Sequence, residues 1–247
     1  MRRCVAVVAL TAMSLPGIVH ASDQVGLQLE LTPYVWGAGI DGKVTAKGQT
    51  VHFDVSVSDL LSKVDAGFMG LAVGSYNRFV LYTDYVYVGL SNDAQTGNGV
   101  LVPVNTKVDA DLDTTINTYA VGYRFDTFGD NTLDVMVGAR TLGVDESLQF
   151  PNVKVNNDAS LTDTILMLRP SFRFAEKWRF NPTLSYGISG DSDTTYEMSP
   201  QIQWDFSNSF AARFGYRKLF YKEGGRDKLD ISLQGLFVGV GWIFQSR

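Results

Sequence analysis

Beyond residue 21 the chain carries one histidine, His52, which stands in VHFDVSV with Asp54 and Ser56 at alternate positions. Imidazole, carboxylate and hydroxyl are the ingredients of hydrolytic acyl transfer, but a triad needs groups converging from separate elements. Alternate residues of an extended segment share a face and stand about 7 Å apart, so these three diverge. His52 therefore reads as a solvated loop histidine. A second cluster, DADLD, spaces Asp109, Asp111 and Asp113 like the start of a calcium loop. Such a loop needs glycine at its sixth position and an acid at its twelfth, and this chain has Thr114 and Ala120 there. No catalytic residue, metal or cofactor is expected.

The remaining chemistry is charge, and it follows a period of two. In WRFNPTLSYGIS one parity reads Trp178, Phe180, Pro182, Leu184, Tyr186 and Ile188, while the other is polar throughout. Side chains of a strand alternate between faces, so such segments have one apolar and one polar face. The same pattern recurs after residue 160 in TILMLRPSFRF, TYEMSPQIQWDF and LFVGVGWIF. Strands are expected near 25–37, 64–75, 79–90, 112–125, 132–146, 161–174, 178–190, 194–206, 210–221 and 229–244. The segment 79–90 is apolar on both parities and has no evident orientation. VHFDVSV extends a hairpin within the connection 38–63.

Export and composition decide which face looks inward. Arg2 and Arg3, an apolar run to about Val19 and the small residues before Ser22 describe a secretory signal, expected to be cleaved after Ala21. Residues 22–247 then form a single domain. Its 19 basic residues (21 less Arg2 and Arg3) against 26 acidic ones give a net charge of −7, which excludes the basic stripe of a nucleic-acid binder. The single cysteine, Cys4, leaves with the signal, so neither disulfides nor thiolate sites are expected. An exported, glycine- and aromatic-rich all-β chain fits a transmembrane antiparallel up-and-down barrel, whose greasy parity faces lipid. Ten strands are expected, with eight or twelve as alternatives.

Short connections at 76–78, 126–131, 175–177 and 207–209 alternate with longer ones at 38–63, 91–111 and 147–160, the asymmetry between periplasmic turns and outer loops. Phe125, Phe174, Trp178, Trp204, Phe206, Trp242 and Phe244 all fall beside short turns or the last strand's end, where an interfacial aromatic girdle belongs. Pro33, Pro170, Pro182 and Pro200 lie inside predicted strands. Each removes a ladder hydrogen bond, so bulges or strand ends are expected there.

LTPYVWGAGIDGKV, VSVSDLLSKVDAGFMG, LYTDYVYVGLS, YAVGYRF, LDVMVGART and GVGWIF together resemble the recurrent segments of small proteobacterial outer-membrane barrel proteins of unassigned role, among the outer-membrane protein A and porin-like barrels. The resemblance implies a barrel in the outer membrane and carries no catalytic residue across. GVGWIF also resembles the aromatic-ended last strand recognised by the barrel-assembly machinery. Lipid and lipopolysaccharide are the other expected partners, with no nucleic acid and a monomeric state.

The inward parity is expected to hold Glu30, Arg124, Asp134, Arg140, Asp163, Arg169, Arg173, Arg179, Glu197, Asp205, Arg213 and Arg217. Folding about 126–131 sets Arg124 across from Asp134, and folding about 207–209 sets Glu197 nearly across from Arg217. Such pairs either plug a narrow barrel or form a charged eyelet, and side chains fill small barrels. Three readings follow: a closed barrel with a structural or surface-interaction role, a narrow passive channel, and a lipid- or peptide-modifying enzyme.

Overall fold

The computed structural model describes residues 26–46, 49–95, 107–150, 153–224 and 228–245, and the expected signal segment lies outside them. The strands are β1 (Leu27–Ala46), β2 (Gln49–Val55), β3 (Val64–Tyr76), β4 (Phe79–Gln95), β5 (Lys107–Asp126), β6 (Thr132–Phe150) and β7 (Val153–Ala175). They continue with β8 (Trp178–Phe180), β9 (Thr183–Gly190), β10 (Thr194–Ser199), β11 (Gln201–Asp205), β12 (Phe210–Glu223) and β13 (Lys228–Gln245). A short helix, α1 (Val57–Leu61), lies between β2 and β3.

All pairings are antiparallel, and β13 returns to β1, which also pairs with β3. The sheet is therefore closed. β8 and β9 pair successively with β7, and β10 and β11 with β12, so each couple is one stave interrupted in the middle. Among the described residues β2 pairs with β1 alone, and it stands outside the ring. The ring thus has the ten staves expected, an even number that brings the start of β1 and the end of β13 to one end of the barrel.

At that end the connections are tight. Tyr76 pairs with Phe79 across Asn77–Arg78, and Asn77 takes φ 52°, a left-handed conformation that asparagine tolerates well. The opposite end departs from the sequence reading. The segment 147–160, expected as a loop, continues the β6–β7 ladder up to the pair Phe150–Val153. β4 and β5 likewise stay in register up to Gln95–Lys107. Outside lipid, neither face must be apolar, so these extensions lack the alternation that marks the lower strands.

The breaks fall at prolines. Pro182 separates β8 from β9, and Pro200 separates β10 from β11. Lacking an N–H, each stops the ladder where it stands. Pro33 is the last residue of β1 paired with β3, opposite Gly70.

The burial pattern settles the orientation. In β9, Leu184, Tyr186 and Ile188 are exposed while Thr183 and Ser185 are buried. Leu236, Val238, Val240 and Trp242 on β13 are also exposed, with Leu236 at 72 %. On β4, which the sequence left unoriented, Val80, Tyr82, Asp84 and Val86 point into the lumen, and Phe79, Leu81 and Tyr85 face out. Apolar residues circle the outside of the closed ring, the surface of a barrel that crosses a bilayer.

Candidate functional site: the barrel lumen

Inward side chains form successive levels along the axis. At the middle level Arg217 Nη2 lies 2.5 Å from Asp84 Oδ2, and Arg217 Nη1 donates to the Tyr34 hydroxyl at 2.7 Å. That hydroxyl donates to Asp84 Oδ1 at 2.6 Å. Arg217 Nε stands 2.9 Å from Glu197 Oε1, and the other Glu197 oxygen pairs with Arg140. Arg140 also donates to Ser185 Oγ at 2.7 Å and to Thr118 Oγ1 at 3.2 Å. The cluster draws on β1, β4, β5, β6, β9, β10 and β12, so it crosses the lumen from wall to wall. Two guanidiniums meet two carboxylates, and every charged member is at least 95 % buried. Shared, charge-assisted contacts of this kind offset the cost of removing four charges from water.

Two residues further along each stave towards the loop end lies an apolar level: Trp36, Val86, Ile116, Leu142, Leu219 and Leu233, with Tyr221 beyond. Leu219 and Tyr221 show no exposed surface. The Arg217 guanidinium also sits over the Trp36 ring, 4.9 Å from its centroid, and ties the two levels together.

Towards the turns the lumen widens into a vestibule of about 2110 Å³. Its inner end holds two ion pairs. Arg213 clasps Glu30 through both its Nε and Nη2, each at 2.6 Å, and Arg124 clasps Asp134 at 2.7 and 2.9 Å. Arg169 approaches Asp134 only to 3.8 Å and lies over the Tyr82 ring at 5.0 Å. Nearer the mouth, Arg179 lies 3.4 Å from Asp205 and Arg173 3.6 Å from Asp130.

Most inward charges named from the sequence thus meet one another, but at three levels instead of in one network. Asp163 is buried yet stands apart: it accepts from the backbone N–H and hydroxyl of Ser192 and so holds the β9–β10 turn. The sequence reading missed Asp84 and Tyr34. Asp84 was hidden because both parities of β4 are apolar, and tyrosine serves inner and outer faces alike. Arg124 and Asp134 are direct register partners, whereas Glu197 pairs with Leu219 and reaches Arg217 diagonally.

On the outside, Trp178 stacks on Trp204, which leads through Phe206 and Phe210 to Trp242 and Phe244, with centroid separations of 4.4–6.2 Å. Phe125 packs on Tyr123 at 5.0 Å, and Phe174 is exposed beside the 176–177 turn. His52 and Asp54 are exposed on β2, outside the ring, while Ser56 caps α1 by accepting from Asp59 N at 3.2 Å. Asp113 of the DADLD segment accepts from the Tyr87 hydroxyl at 3.0 Å.

No family model matches the sequence, and no curated protein matches it either. Solved structures do. The outer membrane protease OmpT from Escherichia coli superposes with a TM-score of 0.61 at 8 % identity, covering 93 % of this chain and 99 % of that one. The translocator domain of the autotransporter NalP from Neisseria meningitidis gives 0.44 at 14 % identity, over 90 % and 89 % of the two chains. Ail of Yersinia pestis gives 0.35 at 11 %, over 89 % and 99 %. At such identity the likeness concerns the fold and transfers no residue's role. By its closed ten-stave ring, its lipid-facing exterior and this likeness, the chain has the fold of the bacterial outer-membrane β-barrels.

Proposed function

We propose that this outer-membrane barrel is non-catalytic and non-conducting, with a structural or surface-interaction role. The observation carrying this is the double closure of the lumen, by the Arg217–Asp84–Glu197–Arg140 cluster and the apolar level stacked on it. An eyelet needs a water-filled path between its charges, and here the charges contact one another. Exposed Asp111, Asp145 and Asp158 near the loop end favour contact with lipopolysaccharide through divalent cations. Purified protein in a planar bilayer should show no steady single-channel current. Truncating the pair (Glu197→Ala with Arg217→Ala) should raise it little, because Trp36, Leu219 and Tyr221 still close the barrel. Adding Trp36→Ala and Tyr221→Ala should produce stable openings. A large, steady wild-type conductance would replace this reading with that of a narrow passive channel.

A further inference from the structure

The register places three prolines in one row across the wall. The β7–β9 ladder runs to Leu168–Leu184 and resumes as β7–β8 at Phe172–Phe180, so Pro170 stands opposite Pro182. The β9–β10 ladder runs to Ser199–Thr183, which sets Pro182 opposite Pro200. The direction of the missing bonds follows from one that is made. Asn181 N donates to Gln201 O at 2.9 Å, so by strand alternation Pro182 turns its backbone towards β7. Pro170 and Pro182 are then the mutual partners of one rung, and neither has a proton to donate. Both bonds of that rung are lost together. The seam from Leu168–Leu184 to Phe172–Phe180 spans about 13 Å of strand.

Outside this seam lie exposed Leu168, Phe172 and Leu184, and therefore hydrocarbon. Inside it lies the closed end of the vestibule, lined by Arg169, Pro170, Ser171 and Asn181. Arg169 and Asn181 are both 8 % exposed, and among the described residues Arg169 Nε and Asn181 Oδ1 have no hydrogen-bond partner. Asp134 does not complete Arg169: both its oxygens accept from Arg124, and Arg169 approaches it only to 3.8 Å, beyond hydrogen-bond distance. Arg213 is likewise taken by Glu30. A buried guanidinium with a free edge binds a carboxylate or phosphate in a planar fork.

We propose that the seam between β7 and β8–β9 is a lateral portal, and that Arg169 receives through it the anionic headgroup of a single-chain amphiphile whose tail stays in the bilayer. One interstrand gap admits one alkyl chain, and parting the strands here breaks no ladder bond. The vestibule's closed end, on which the site depends, is formed by the plug above it. A conducting wild type would remove that plug, whereas unspecific labelling would remove the site alone.

The test uses the full chain refolded into phosphatidylcholine vesicles with a diazirine-bearing palmitate, photolysed and mapped by mass spectrometry. Crosslinks should concentrate in residues 164–190. They should fall about tenfold in Arg169→Gln and be retained in Arg169→Lys. They should also fall about tenfold in Pro170→Val with Pro182→Val, which restores both donors. Should that pair fail to show heat-modifiable folding on a gel, oxidised Pro170→Cys with Pro182→Cys would close the same rung. Crosslinks spread evenly around the barrel, or indifferent to Arg169→Gln, would overturn the site. Crosslinks that depend on Arg169, ignore the closed rung and are competed away by acetate or inorganic phosphate would overturn the portal, since the anion would then enter from the vestibule mouth.

Discussion

Glu197 forms ion pairs with two buried arginines that, among the described residues, share no other carboxylate, so it is the residue on which the middle level turns. Glu197→Ala leaves Arg140 with only hydroxyl partners and Arg217 with Asp84. Removing one partner of a buried pair costs about 3–5 kcal/mol. Urea unfolding of the refolded protein in vesicles should show that loss, and a change below about 1 kcal/mol would mean that water already reaches the cluster. The neighbouring stave offers a contrast. Leu184→Arg sets a cation in hydrocarbon and should cost roughly 2–4 kcal/mol of insertion stability. Ser185→Ala removes a hydroxyl that accepts from Arg140, at about 1–3 kcal/mol, without harming assembly. Equal assembly defects in the two would contradict the assigned faces.

Among the elements, β2 and α1 are the additions to the ring. β2 pairs only with the upper part of β1, from Ile40 to Ala46, and α1 rests near Gly37. Extending the β1–β3 register brings Ile40 level with Lys63, so a short turn can join those staves directly. Replacing residues 41–62 by five Gly and Ser residues should therefore leave a barrel that migrates in its heat-modifiable form. Loss of that form would show that the hairpin helps close the ring beyond Pro33, where β1 and β3 cease to pair. The broken staves follow the opposite logic. Proline interrupts them within the lipid-facing wall, where an unmade backbone bond is most expensive. The wall tolerates this because the ladders resume on both sides of each break.

For the whole molecule, the distribution of apolar surface fixes the position in the bilayer. The exterior is apolar from the aromatic stacks at the turn end to Tyr119, Tyr186 and Tyr216, and along β5 it turns polar beyond, at Thr115, Asp113 and Asp111. The strands thus continue well past the membrane at the loop end, while the turns lie close to its other face. Protease added to intact cells should cut between β4 and β5 and spare residues 127–131. Cleavage confined to 127–131 would reverse the orientation. The same layout gives the plug its setting, since the middle level lies within the membrane-spanning part and the vestibule opens at the turn end.

Period-two alternation determined the ring from sequence alone. Lipid outside and a largely polar lumen inside set apolar against polar parity in the later staves, as at Leu184 and Ser185, whereas β4 turns Val80, Tyr82 and Val86 inward and so hides its orientation. The same rule fails where its cause is absent: beyond the membrane neither face needs to be apolar, and 147–160 read as a loop although 147–150 and 153–160 are strand. Within the ring, alternation could list Glu30, Arg140, Glu197 and Arg217 as inward, and direct register could pair Arg124 with Asp134. Only the closed barrel decided that Arg217 would meet Asp84, 133 residues away. Partners across the lumen are set by ring closure and strand stagger, which no local pattern records. Nor could alternation show that Pro170 and Pro182 share one rung, since that depends on the register between staves, and register is a property of the assembled sheet.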